Sequence, residues 1–299
     1  MFAFNRPEHL RRTLTALLSC EGVDQTPITV FIDGPRSPKD TASVAATRRV
    51  AEQMLGGTAT IKAAGANQGL ARSITSGVSE LVEKHGRVIV LEDDLEVSRG
   101  FLTYMNSALD RYAENESVFQ ISGHMCDVPE FRSRTDAVCL PFTTTWGWAT
   151  WARAWKIYDP AATGWESLLT DRQERRRFDL NGTYPYSAML FRQMRAKSDS
   201  WGIRWYWAVF KEGGVCVFPP QSLIRNFGYD GTGTHGKGVV AQFRPRDDWT
   251  PPFHVTLPLS AEVSGTDLRA VSNAIWRLNG GWLGIGLAAF QNMLGRLRC

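Results

Sequence analysis

Arg87-Val88-Ile89-Val90-Leu91, followed at once by Glu92-Asp93-Asp94, constrains this chain more than any other stretch. A short, β-branched run after Gly86 reads as a buried strand. Its C-terminal end delivers three carboxylates to one edge of a sheet, the edge at which open α/β sheets bind ligands. Like charges packed there raise the energy of an empty site, so a positive group must offset them. A divalent cation shared with substrate phosphates meets that need. A solvated acidic turn leading into the next helix, with Ser98 as its N-cap, is the alternative reading of the same residues.

Strand and helix alternate around this feature. Phe2-Ala3-Phe4 reads as the tail of a strand. Arg6 to Leu18 puts Leu10, Leu14, Leu17 and Leu18 on one helical face, with Pro7 in the first turn. Ile28 to Ile32 is a strand ending in Asp33-Gly34, and Ser37-Pro38 opens a helix running to about Leu55. Thr60 to Ala63 is a strand, Gly65 to Gly69 a loop, and Leu70, Ile74, Val78, Leu81 and Val82 mark a helix. Repeated units of this kind imply an α/β fold with a mostly parallel sheet. Beyond Asp94 the rhythm changes. Ser98 is expected to cap a helix carrying Phe101, Leu102, Met105 and Leu109. Val118 to Ser122 and Val215 to Phe218 read as strands. Trp146 to Trp155, Asp171 to Phe178 and Ile203 to Lys211 read as helices. Residues 1–244 are expected to form the main domain, and 245–299 an irregular connector with a helical extension from Asp267.

Composition narrows the classes. The chain has 299 residues, 43% hydrophobic and 21% charged, with a net charge of +4. That is globular composition, and too mild a charge to argue for nucleic acid. Five scattered cysteines give neither a disulfide framework nor a zinc ribbon, and fit a reducing cytoplasm. No long uncharged run or signal peptide is evident. Near the C-terminus, Ile275, Trp276, Trp282, Leu283, Ile285, Leu287 and Phe290 accompany Arg277, Arg296 and Arg298. Two fates fit them: peripheral contact with the inner face of a membrane, or packing on the main domain, the commoner outcome.

Other motifs carry less. Gly231-Thr-Gly-Thr-His-Gly236 satisfies G-x-G-x-x-G, but it lacks the preceding strand and following helix that a dinucleotide site needs. His124-Met125-Cys126-Asp127 reads as a strand-end loop rather than a metal site. Eleven tryptophans, several between Trp146 and Trp207, can be core or a platform for sugar rings. Asn5-Arg6-Pro7, Asp33-Gly34 and Asn67-Gln68-Gly69 each follow an expected strand and so share an edge with the acidic turn. Their amides, guanidinium and carboxylate suit a nucleotide.

Taken in order, Asn5-Arg6-Pro7, Asp33, Asn67-Gln68-Gly69 and Leu91-Glu-Asp-Asp-Leu-Glu-Val97 resemble the GT-A glycosyltransferases. The likeness is to inverting N-acetylglucosaminyltransferase I-type enzymes and their bacterial relatives. Thr145-Trp146-Gly147-Trp148, Trp201-Gly-Ile-Arg-Trp205 and Asn226 to Gly236 extend it over about the first four-fifths of the chain. The resemblance implies a GT-A-like (Rossmann-like) fold and sugar transfer, with inversion, from a nucleotide-sugar donor to a carbohydrate or other hydroxyl acceptor. Mn2+ or Mg2+ would assist. Surface polysaccharide assembly is a setting that fits a bacterial enzyme.

Carried over residue by residue, Asp94 and His235 would ligate the metal, His235 from the loop that closes over the diphosphate. Asn5, Arg6, Asp33, Asn67, Gly69, Glu92 and Asp93 would bind the donor. Trp146, Gly147, Trp148 and Trp201 would line the acceptor pocket. Relatives often carry a catalytic aspartate just after the tryptophan corresponding to Trp201; here Gly202 stands there, and Asp199, the nearest carboxylate, is the expected catalytic base. The first strand of such a fold usually has more apolar residues than Met1-Phe2 supplies, so either that strand is very short or the chain starts downstream of its natural beginning. A non-catalytic nucleotide- or carbohydrate-binding protein of this fold, and a nucleotidyltransferase, remain the alternatives.

Overall fold

The computed structural model of the chain describes residues 1–228 and 249–278. Its first half is the expected alternation: β1 (Phe2–Ala3), α1 (Pro7–Leu18), β2 (Thr29–Ile32), α2 (Thr41–Leu55), β3 (Thr60–Ala63), α3 (Leu70–His85) and β4 (Arg87–Val90). Helix α1 starts on Pro7, whose missing N–H costs nothing in a first turn, and buries Leu10, Leu14 and Leu17. Leu18 falls off that face and is exposed. Helix α3 ends on Gly86 in the left-handed region at φ 75°, a backbone state that favours glycine. Strands β1, β2 and β3 pair in parallel. The Phe2 N–H then donates to the Leu91 carbonyl at 2.8 Å, so the turn after β4 is tied to β1.

The second half contains β5 (Leu95–Val97), α4 (Phe101–Arg111), β6 (Val118–Ser122), β7 (Val138–Leu140), β8 (Trp148–Trp151) and α5 (Ala152–Trp155). It continues with α6 (Ser167–Thr170), α7 (Arg172–Phe178), α8 (Tyr186–Met194), α9 (Trp201–Lys211), β9 (Val215–Phe218), β10 (Ile224–Asn226) and α10 (Gly265–Leu278). A five-stranded sheet runs β4-β8-β6-β9-β7. Only β6 and β9 are parallel within it; β8 and β7 enter antiparallel. Strands β6, β8 and β9 are buried at every position, as befits strands covered on both faces. A two-stranded ribbon pairs β10 with β5. The architecture is α/β, with a parallel sheet flanked by helices.

Two sequence expectations change. Trp146 to Trp155 is not a helix. Trp148–Trp151 is inserted as a strand between β4 and β6, and only four residues after it are helical. β-branched and aromatic residues fit a doubly covered strand, and tertiary pairing overrides the aromatic periodicity. Ser98 is also not a cap. Helix α4 begins at Phe101 with Gly100 as N-cap and no side-chain capping bond. Residues 95–97 form a strand instead, and the Ser98 N–H donates to the Leu223 carbonyl at 2.9 Å.

Residues 249–264 are mostly irregular but anchored. The Trp249 indole donates to the Ser222 carbonyl at 3.0 Å, and Thr256 bridges Asp136. Helix α10 buries Ala270, Val271, Ala274 and Ile275 in the same core as the sheets. The described part of the C-terminal region therefore packs its apolar face inward. Trp282, Leu283, Ile285, Leu287, Phe290, Arg296 and Arg298 lie outside the described residues. No described helix is long and apolar enough to cross a membrane.

Candidate active site

Strand β4 stops at Val90, and the next residues turn along the C-terminal ends of β1 and β4. Asp93 is buried and Asp94 is 16% exposed at its side chain. Arg6, at the head of α1, reaches both: it pairs with Asp93 Oδ1, and its Nη2 lies 3.1 Å from Asp94 Oδ2. Burial alone would lower the Arg6 pKa, but Asp93 and then Asp94 outweigh it and raise the value. Burial, then the charges of Asp94 and Asp93, pushes Glu92 up to about 8 against the pull of Arg6. Burial likewise raises Asp93, with Arg6 opposing. Among the described residues one guanidinium thus serves three carboxyl groups, with His9 adding a smaller pull on Asp93.

Two observations bear on whether a metal fits. Asp93 Oδ2 is buried without a hydrogen-bond partner among the described residues. Gly228 presses so closely on Asp94 that a Cβ there would fall 2.2 Å from Oδ2. The backbone of 227–228 is further fixed by the Phe227 N–H on the Asp94 carbonyl at 3.0 Å, and by the Gly228 N–H on Asn226 Oδ1 at 2.8 Å. These features fit a cation held at Asp94 and Asp93. Among the described residues no three His, Cys, Asp or Glu side chains gather as a self-sufficient cage. That suits a hard cation completed by substrate phosphates and water.

Asp33 spends its carboxylate inside the chain. Oδ1 accepts from Gly34 N at 2.9 Å and Gln68 N at 2.8 Å. Oδ2 accepts from Asn67 Nδ2 at 2.9 Å and Gly69 N at 3.0 Å. Asp33 and Asn67 therefore knit the turns after β2 and β3 into one unit. Asn5 donates to Asp40 Oδ1 at 3.0 Å, which joins the turn after β1 to the start of α2. Sequence reasoning missed Glu96, one residue into β5. It takes Arg12 Nε from α1 and Arg225 Nη2 from β10, each at 3.0 Å, and so locks the ribbon to the first helix.

A cavity of about 330 Å³ is lined by Thr143, Thr144, Thr145, Trp146, His124, Cys126, Tyr184, Tyr186, Gly202 and Ile203 among others, and by none of the acidic-turn carboxylates. Its position follows from register. Val90 of β4 and Ser122 of β6 both pair with Trp148 of β8. Two residues beyond each along the same edge stand Glu92, His124 and Trp146. Of the tryptophans expected at an acceptor pocket, only Trp146 lines the cavity. Trp148 and Trp201 are core: they stack at 5.2 Å, and Trp148 also meets Trp155 and Trp205 at 5.7 and 6.2 Å. Gly147 sits at φ +52°, with room for a Cβ only 1.9 Å from Ile224 Cδ1. It turns the chain between the cavity and the core.

Asp199 is not among the cavity-lining residues. Its side chain is 70% exposed and 3.3 Å from Arg204. His235, Asp230 and the Gly231–Gly236 motif lie outside the described residues.

No family model matches the chain. Among solved structures it is similar to a crystal structure of GalNAc-T7 with UDP, GalNAc and Mn2+. That match has 12% identity and TM-score 0.43 over 73% of this chain and 41% of that one, so the chain spans well under half of that protein's length. It is also similar to the mannosyltransferase PcManGT from Pyrobaculum calidifontis in complex with GDP-Man and Mn2+. There the identity is 11% and the TM-score 0.37, over 71% of this chain and 74% of that one. Likeness at this level carries nothing about substrate or mechanism.

Proposed function

We propose that this chain is a metal-assisted glycosyltransferase that moves a sugar from a nucleotide-sugar donor to a hydroxyl acceptor with inversion. One observation carries the reading: among the described residues an acidic turn with a single guanidinium stands at the C-terminal sheet edge, and strand register brings His124 and Trp146 of a ligand-sized cavity to that same edge. The turn suits a cation and a diphosphate, and the cavity suits a sugar ring set against Trp146. The order of edge motifs that resembles GT-A enzymes supports the same reading.

Asp94, with Asp93, would hold Mn2+ or Mg2+. The bound cation would neutralise charge on the departing diphosphate. Arg6 stands between both carboxylates, placed to contact a phosphate. Glu92 lies next to it. The unit of Asp33, Asn67 and Gly69 would form the floor under the nucleoside, with Asp33 acting by fixing the loop. Acceptor attack on the anomeric carbon from the cavity side, opposite the diphosphate, is what inverts the centre.

The test is donor binding by calorimetry with UDP- and GDP-hexoses, with and without Mn2+. Wild type is expected to bind one donor class only with metal. Asp94→Ala is expected to lose that binding while its thermal unfolding stays within a few degrees. Unchanged donor affinity in Asp94→Ala overturns the assignment. Release of diphosphate from a nucleoside triphosphate would favour a nucleotidyltransferase instead.

A further inference from the structure

Transfer with inversion needs a group that takes the proton of the attacking hydroxyl. The position where the resemblance places it cannot supply one here. A Cβ on Gly202 would meet Thr145 Cγ2 at 2.6 Å, so the first turn of α9 is packed flat against the 143–145 loop. Asp199 faces outward on Arg204. Among the described residues, the ionisable side chains that line the cavity are His124, Cys126 and three tyrosines. Thiols and phenols keep their protons at neutral pH in ordinary surroundings. Burial raises Cys126 to about 12, and raises Tyr186 and Tyr206 well above the usual range. His124 is what remains.

Its tautomer follows from its partner. Ser222 Oγ donates its one hydrogen to the Ile224 carbonyl at 2.7 Å. The 3.1 Å contact between Ser222 Oγ and His124 Nδ1 must then be Nδ1–H donating to the hydroxyl oxygen. Nε2 carries the lone pair. Among the described residues it makes no hydrogen bond, and His124 lines the cavity. The backbone is pinned as well, by the His124 N–H on Ser122 Oγ at 3.3 Å, and the ring packs on Trp146 at 4.6 Å between centroids. Neighbouring strands lie about 4.8 Å apart, so two strand spacings put His124 roughly 10 Å from the acidic turn, room for one sugar ring between them.

We propose that His124 is the catalytic base of this transfer, with Ser222 as its positioning residue. The inference rests on the glycosyl-transfer reading above. The acceptor oxygen forms a bond to the anomeric carbon as the bond from that carbon to the phosphate oxygen breaks. The electron pair of the broken bond leaves with the nucleoside diphosphate. The acceptor proton moves to Nε2, and the imidazolium then releases it to solvent. Burial holds His124 at about 4, which keeps the ring neutral and gives it the proton affinity of an ordinary aspartate.

The test uses the full chain with excess Mn2+, UDP- and GDP-hexoses as donors and water as acceptor, read as released nucleoside diphosphate. His124→Gln and His124→Ala are expected to lower kcat by about 10²- to 10⁴-fold while donor affinity stays within about two-fold. Added imidazole is expected to restore His124→Ala at least in part and to leave His124→Gln unchanged. Ser222→Ala should lower kcat by roughly ten-fold, because the tautomer is no longer set. Retained kcat in both His124 variants, or a loss in His124→Ala that imidazole does not relieve, overturns the assignment. A wild-type chain that binds no nucleotide sugar sinks the transfer reading itself, a result distinct from either.

Discussion

Glu92→Gln should make the empty protein more stable, and only above acid pH. The carboxyl rises from its ordinary value of 4.5 to about 8 because burial and two adjacent carboxylates disfavour its charge. A folded-state pKa above the unfolded one contributes stability that is complete below the unfolded value and is lost as pH rises through the folded one. The window therefore runs from about 4.5 to about 8. Each pH unit within it costs about 1.4 kcal/mol, so at pH 7 the ceiling is about 3 kcal/mol. Arg6 and water at the half-buried turn reduce this, and a gain of about 1–2 kcal/mol is expected for the glutamine variant. For a chain of this size that is a rise of a few degrees, at roughly 2–4 °C per kcal/mol.

The assay is thermal or urea unfolding of metal-free wild type and Glu92→Gln from pH 4.5 to 8.5. The difference between the two curves is the observable. His124 works with the opposite sign in overlapping acid conditions: its folded value of about 4 lies below the usual histidine value of 6.5, so its contribution is lost as pH falls. That term is common to both proteins and cancels. The difference should be near zero at pH 4.5 and should grow toward pH 8. Excess Mn2+ should shrink or reverse it, because a bound cation favours the ionised carboxylate. Curves that stay parallel across the range refute the account of the acidic turn.

Two further outcomes follow from the same geometry. Gly147→Ala must hold alanine at φ +52° against Ile224, and is expected to lose about 2–5 kcal/mol in urea unfolding; a loss under about 1 kcal/mol would mean the turn can relax. Asp33→Asn exchanges an acceptor of four N–H bonds for a group with one acceptor oxygen and a mismatched donor. It should weaken donor binding by about ten-fold or more through disorder of the 66–69 loop, visible as faster amide exchange at Gln68 and Gly69.

The parallel half was legible because its signals are local. Periodic leucines in α1, a glycine stop at Gly86 and β-branched runs each settle an element within a few residues. The grouping of Arg6, Asp33, Asn67 and the acidic turn then follows from topology, since parallel strands put their following turns on one edge. In the second half β6, β9, α4, α7 and α9 were legible in the same way, but β5, β7, β8 and β10 were not. Strand β8 carries no alternation, because it is covered on both faces, and its aromatic content fits a helix as well. Three-residue strands such as β5, β7 and β10 are defined by partners distant in sequence, which periodicity cannot see. His124 looked like an ordinary loop residue for the same reason: its meaning comes from Ser222, 98 residues away.

The tryptophans show how core and site depend on each other. Trp205 lies fully buried, and its indole donates to Gln120 Oε1 at 2.7 Å. Gln120, itself buried in β6, passes the bond on: its Nε2 donates to the Thr144 carbonyl at 2.9 Å. Thr144 lines the cavity, and Ser122 of the same strand bonds its hydroxyl. An apolar ring at 205 would leave the Gln120 oxygen without a partner in a medium where that costs about 1–3 kcal/mol. The cheapest relief would be rotation of the amide, which withdraws the bond to Thr144. The loop that carries Thr145 against Gly202 and Trp146 against His124 is therefore held from below by an indole that touches no ligand. Gly147 divides the cluster: Trp148, Trp201 and Trp205 pack together in the core, and Trp146 lines the cavity.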